Sequence, residues 1–163
     1  DGEARRRVVA ESGKARTLAR LSGGDAIRLA QLVSGEGDEQ RRDDFALFCS
    51  LMRLSYNDRH LELIGWAEDA AQLTREQQRA LLLDPARLLR ESYVLHAGVP
   101  DICYLWGEEA DFCRKFAPFI GNDNIEPLLA EIETALAQIS QNGNPTIVFT
   151  HFALSESKKI NKR

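Results

Sequence analysis

The sequence predicts an all-α protein, a helical bundle preceded by a helical hairpin, and three observations carry that prediction. Apolar residues recur at one-turn spacing along most of the chain, and the connections between periodic segments are short and rich in Gly, Pro and Asn. The clearest β-branched run, Thr146-Ile147-Val148, has no partner strand in view. Roughly seven or eight helices result, and no period of about 20 to 50 residues recurs that would indicate a repeat array.

Taken in order, residues 3–20 mix Arg5, Arg6, Arg7, Lys14, Arg16 and Arg20 with Val8, Val9, Ala10, Ala15, Leu18 and Ala19. The pattern suits an exposed helix with one apolar side and a solvated basic face. Ser22-Gly23-Gly24 stops it, and Asp25 is placed to cap a second helix through Ala26, Ile27, Leu29, Ala30 and Val33. Residues 34–39 are polar, contain two glycines and lack apolar periodicity, so they read as a linker. The domains are accordingly placed at 1–35 and 40–163.

In residues 43–56, Phe45, Phe48, Cys49, Met52 and Tyr56 fall at helical spacing, and Leu47, Leu51 and Leu54 widen the same face. In residues 58–73 the series Leu63, Trp66, Ala67, Ala70 and Leu73 forms a buried stripe, leaving Glu62, Glu68 and Asp69 to solvent, with Gly65 an unfavourable residue inside that helix. Thr74 followed by Gln77 is a capping-box pattern opening a short helix through Ala80, Leu81 and Leu82. Asp84-Pro85 then resembles a cap with a first-turn proline, which predicts a separate helix through Leu88, Leu89 and Tyr93.

Residues 96–101 contain Gly98 and Pro100 and read as a loop. Tyr104, Leu105, Trp106, Phe112, Phe116 and Phe119 then form the most aromatic stretch, with a short helix over residues 107–116. A turn at Gly121-Asn122-Asp123-Asn124 precedes the series Ile125, Leu128, Leu129, Ile132, Leu136 and Ile139, in which Pro127 is tolerated in the first turn. Asn142-Gly143 ends that helix, and Asn144-Pro145 is read as the cap and first turn of another rather than as a strand start.

Bulk properties narrow the function. A chain of 163 residues that is 44% hydrophobic can bury a sizeable core, and a net charge of −4 provides no general field for a phosphate backbone. No apolar run is long enough to span a membrane, and no signal-peptide segment opens the chain. Three cysteines, Cys49, Cys103 and Cys113, are odd in number and widely spaced, which argues against a disulfide framework and fits a reducing cytoplasm. The start at Asp1, with Met52 the sole methionine, leads us to expect an excised piece or a processed product.

Chemistry-bearing patterns are sparse. His60, His96 and His151 are far apart, and neither H-E-x-x-H nor C-x-x-C occurs, so no metal or other cofactor is expected. Glu108-Glu109 are neighbours, which on a helix point apart, and their favourable interaction with a helix N-terminus is the preferred reading. No G-x-x-x-x-G-K-[ST] loop is present, so the chain alone is expected not to hydrolyse a nucleotide.

The run Tyr104-Leu105-Trp106-Gly107-Glu108-Glu109, with Phe112 and then Lys115-Phe116-Ala117-Pro118-Phe119-Ile120, resembles the C-terminal region of bacterial DNA polymerase III delta-prime subunits, which belong to the clamp loader. The resemblance continues through Asn122 to Ile125, Gln141-Asn142, Asn144-Pro145 and Val148-Phe149, and upstream Phe45 to Tyr56, with Leu51-Met52-Arg53-Leu54, looks like an opening collar helix. Residues 73–95 carry no resemblance. The N-terminal hairpin is similar to the end of an AAA+ lid, where a sensor-2 arginine follows a glycine by three positions. From Gly24 that position is Ile27, and Arg28 stands one later, a departure that suits a subunit that is not itself an ATPase.

The resemblance implies a non-catalytic fragment whose collar domain packs beside those of other clamp-loader subunits, of delta and gamma/tau type. It implies DNA contact only indirectly, no membrane, and Arg28 as the one residue near a nucleotide-contacting position. Two other classes stay open from the residues themselves: a small helical enzyme using Cys103 or Cys113, and a nucleic-acid-binding module using the basic residues from Arg5 to Arg20 with Lys158, Lys159, Lys162 and Arg163.

Overall fold

The computed structural model of the chain describes residues 38–103, 105 and 107–160. The expected hairpin of residues 3–33, with Arg28, lies outside the described residues, as do Tyr104, Trp106, Lys162 and Arg163. The chain divides into two compact units, Asp1–Arg42 and Asp43–Arg163, and the packing described below is that of the second.

Among the described residues the protein is all-α, with no strand. The helices are α1 (Asp38–Tyr56), α2 (His60–Ala71), α3 (Arg75–His96), α4 (Gly107–Phe116), α5 (Ile125–Ser140) and α6 (Pro145–Lys159), with 3-10 turns at Pro100–Ile102 and Ala117–Phe119. α2 packs on α6, α6 on α5, and α5 on α3, which also carries α4 and both 3-10 turns. α1 joins through Trp66, whose indole nitrogen donates to the Leu47 carbonyl at 2.9 Å, and through Ser157, whose hydroxyl donates to the Ser55 carbonyl at 3.3 Å. The expected periodic residues Phe48, Leu63, Leu81, Leu89, Leu128 and Ile132 share one core with Phe149.

Two boundaries differ from expectation. α1 begins at Asp38, so the last two residues of the expected linker are helical. Glu39 at that end opposes the macrodipole favourably, and nothing from Gln40 to Arg42 breaks a helix.

The second difference is α3, which runs unbroken from Arg75 to His96 with Pro85 inside it, where two helices were expected. A mid-helix proline forfeits a backbone hydrogen bond and costs about 3 kcal/mol. Against this, Gln78, Leu81, Leu82, Pro85, Leu88, Leu89 and Ser92 form one buried stripe that stays in phase only if the helix continues. Burying leucines such as Leu88 and Leu89 contributes about 1.5–3 kcal/mol each, so packing outweighs the local penalty.

The helix ends follow local chemistry. Thr74 and Gln77 form the reciprocal capping box, and the Asn144 side chain accepts from the Ile147 N–H at 3.2 Å with Pro145 in the first turn. α5 ends in a Schellman motif: Gly143 N–H donates to Gln138 O at 2.8 Å and Asn142 N–H to Ile139 O at 3.1 Å, with Asn142 left-handed at φ 59°. Arg75 reaches across to donate to the carbonyls of Ile139 and Gly143, fastening the start of α3 to the end of α5.

The turn before α5 is held by Asn124, whose side chain is 4% exposed. Its Oδ1 accepts from Gly121 N–H at 2.8 Å, while Nδ2 donates to Phe119 O at 2.9 Å and to Lys159 O at 3.0 Å. One amide therefore joins the second 3-10 turn, the α5 entry and the end of α6. Asn124→Ala is expected to lower unfolding free energy by about 2–4 kcal/mol, because it removes the partners of one buried and two part-buried backbone groups. Asn124→Asp, which keeps the acceptor but loses both donors, is expected to destabilise as well; urea unfolding of both variants checks this.

Candidate functional site

The aromatic stretch and the first helix meet along one seam. Phe112 of α4 lies edge-on to Phe45 and Phe48 of α1, at centroid distances of 5.8 and 5.5 Å, and Tyr56 lies 4.9 Å from Phe119. Phe112 stacks on Phe116, one turn later on α4. Between the two helices opens a cavity of about 540 Å³, walled by Phe45, Tyr56, Phe112 and Phe119 over a floor that includes Cys49, Met52 and Phe116. Its rim carries Arg53, Asn57, Glu108, Asp111 and Lys115, with Asp111 engaged by Arg114 at 3.1 Å. An apolar groove with a mixed-charge rim suits packing against another apolar surface.

The cysteines are placed as inert side chains. Cys49 and Cys113 are buried and Cys103 is half-buried, and all three are free thiols. Burial pushes Cys49 and Cys113 up to about 11, and burial with the neighbouring Glu91 pushes Cys103 up to about 12. The Cys113 thiol donates to Leu88 O and the Cys103 thiol to Glu91 O. Burial, joined at Cys103 and Cys113 by these carbonyl contacts, favours the protonated thiol at all three positions.

Glu108 and Glu109 both occupy the first turn of α4, but their roles separate. Glu108 is exposed, whereas both Glu109 carboxylate oxygens lie 2.9 Å from Nη2 of Arg87 on α3. Neither residue signals the other locally, since 22 positions separate them. The histidines remain apart: His60 lies 4.0 Å from Asp58, His151 lies 3.9 Å from Glu131, and His96 is exposed beside Gly121. Among the described residues no group of three His, Cys, Asp or Glu side chains is placed to hold a metal ion. Of the C-terminal basic residues, Lys158 is exposed, while Lys159 is ion-paired with Glu131 on α5.

The most unusual polar group is one that sequence reasoning passed over. Glu156 is fully buried on α6, and neither of its carboxylate oxygens has a hydrogen-bond partner. Its position after Phe149, Phe152 and Ala153 at helical spacing was the available signal that it faces the core. Burial raises its pKa well above the ordinary carboxylate value; Lys159 opposes the shift and Glu131 adds to it.

Comparison with known proteins yields no relative: no family model, no curated protein and no solved structure matches the chain.

The Glu156 shift fixes the sign of a pH effect. Because the folded state holds this proton more tightly than the unfolded chain, the group's stabilising contribution is complete below the unfolded value near 4.5 and is lost as pH rises toward the folded one. Glu156→Gln is therefore expected to raise stability near pH 8 by about 1–3 kcal/mol. It is also expected to flatten the fall in stability between about pH 5 and pH 8. Urea titrations of both proteins at the two pH values check it.

Proposed function

We propose that this chain is a non-catalytic assembly region of a DNA polymerase III clamp-loader subunit of delta-prime type, whose bundle acts as a collar holding the loader ring together during DNA replication in the cytoplasm. The observation that carries the reading is the α1–α4 seam. The two stretches that separately resemble the collar, Phe45 to Tyr56 and Phe112 to Ile125, meet in space through the Phe45–Phe112, Phe48–Phe112 and Tyr56–Phe119 contacts. The resemblance is thus distributed over residues that pack as a unit rather than over unrelated surfaces.

The remaining chemistry agrees with that reading. The thiols are protonated, Glu109 is committed to Arg87, Lys159 to Glu131, and Asn124 to three backbone groups. These particular side chains serve the fold. No helix among the described residues is long and apolar enough to cross a membrane. The partners are other clamp-loader subunits of delta and gamma/tau type, and DNA is reached only through them.

Mixing the chain with delta-type and gamma/tau-type subunits is expected to give a species of higher mass in light scattering, while the chain alone turns over no nucleotide. Failure to associate with either subunit type at micromolar concentrations would overturn the proposal.

A further inference from the structure

Where α6 packs on α5, one lysine faces two carboxyl groups. Glu131 of α5 accepts from Nζ of Lys159 at the end of α6, and its other oxygen lies 3.9 Å from Nδ1 of His151. Glu156 stands three residues before Lys159, about one turn back on the same side of α6. It is fully buried, and both of its carboxylate oxygens lack a hydrogen-bond partner. Of the two carboxyl groups, only the partly exposed Glu131 holds the lysine.

The elements packed against α6 define what Glu156 can meet. α6 packs on α2 and α5, and it touches α1 through Ser157. α2 turns Leu63, Trp66, Ala67 and Ala70 inward, none of them charged. α1 supplies Ser55, whose carbonyl accepts from the Ser157 hydroxyl and whose own hydroxyl oxygen is buried without a partner. α5 supplies Glu131. Among the described residues, burial acts most strongly on Glu156, Lys159 attracts its charged form and Glu131 repels it.

A protonated Glu156 needs no cation, so Lys159 is free to hold Glu131. An ionised carboxylate in the same place is strongly unfavourable unless a cation reaches it. Lys159 is suited to move, because its ammonium rides on a flexible four-carbon stem and its side chain is 27% exposed. Its main chain is held, since its carbonyl accepts from Asn124 Nδ2 at 3.0 Å. The side chain can therefore change partner without unwinding α6.

We propose that Glu156 and Glu131 compete for Lys159, so that the end of α6 is a proton-operated switch. With Glu156 protonated, Lys159 bridges α6 to Glu131 on α5. When Glu156 releases its proton to solvent, the Lys159 ammonium turns inward to the new carboxylate and the bridge to α5 opens. No other bond is made or broken. The region gains one negative charge, which emerges at the partly exposed Glu131 rather than in the core. A buried protonation event thereby becomes a change of surface charge beside His151, whatever the chain's partners are.

The test measures the Lys159–Glu131 coupling at two pH values, by urea unfolding of the full chain in a double-mutant cycle of Lys159→Met and Glu131→Gln. Every protein in the cycle carries His151→Gln, so that the imidazole beside Glu131 adds no pH dependence of its own. At about pH 5 the coupling is expected to change the folding equilibrium about threefold, and at about pH 9 to vanish. With Glu156→Gln added, which cannot ionise, the coupling is expected to persist at both pH values. Carbon-13 NMR of the glutamate carboxyls in the unsubstituted chain is a second readout that needs no folded variant. There the Glu131 signal is expected to shift at the midpoint at which Glu156 titrates. Coupling that persists at about pH 9 with Glu156 in place, or a Glu131 signal indifferent to the Glu156 titration, rules the switch out. A Glu156 carboxyl that does not titrate between about pH 5 and pH 9 rules it out as well.

Discussion

One buried stripe on α3 governs the bundle. Gln78, Leu81, Leu82, Pro85, Leu88, Leu89 and Ser92 must lie on one side of a 22-residue rod for α4, α5 and both 3-10 turns to find the surfaces they cover. The rod spans about 33 Å at 1.5 Å per residue, which makes it long enough to back elements that are distant in sequence. A break at Pro85 would rotate the second half and leave Leu88 and Leu89 out of register with Cys113, whose thiol reaches the Leu88 carbonyl. The proline is tolerated because every neighbouring contact depends on continuity across it.

Around that rod, buried polar groups divide by whether their partners are supplied. Asn124 uses both donors and its acceptor, and it joins three parts of the chain at the cost of fixing one side chain. Arg87 is intermediate, meeting Glu109 through Nη2 while its buried Nε and Nη1 lack partners. Glu156 has none, and it survives burial by holding a proton that an exposed carboxylate would release. The three cases grade from scaffold to stored imbalance within one small core.

Legibility in the sequence followed the range of the interaction responsible. The capping box at Thr74, the start of α6 at Asn144-Pro145, the span of α4 and the periodic face of α5 are set by neighbours within a turn or two, and local reading recovered them. Pro85 was misread because its local preference for a helix start was overridden by burial on both sides of it. Arg87–Glu109 and Asn124–Lys159 bridge 22 and 35 positions, and no local pattern announces such pairs. The α1–α4 seam was legible only as two aromatic segments, since their meeting depends on the tertiary path between them. Glu156 was readable in principle, as the fourth member of an otherwise apolar series, but a carboxylate is ordinarily assigned to solvent.

The α5 terminus carries a consequence for chemical durability. Asn-Gly is the dipeptide most prone to ageing, because the glycine nitrogen can attack the asparagine side-chain carbonyl, close a succinimide and release ammonia. At Asn142-Gly143 that nitrogen is engaged, its N–H directed to Gln138 O at 2.8 Å, and Asn142 is pinned in the left-handed region by its own bond to Ile139 O. Arg75 clamps the same corner by binding the Gly143 carbonyl. Contacts that end a helix thus also shield the chain's most labile bond, and its spontaneous deamidation is tied to local opening of this corner rather than to exposure of the asparagine.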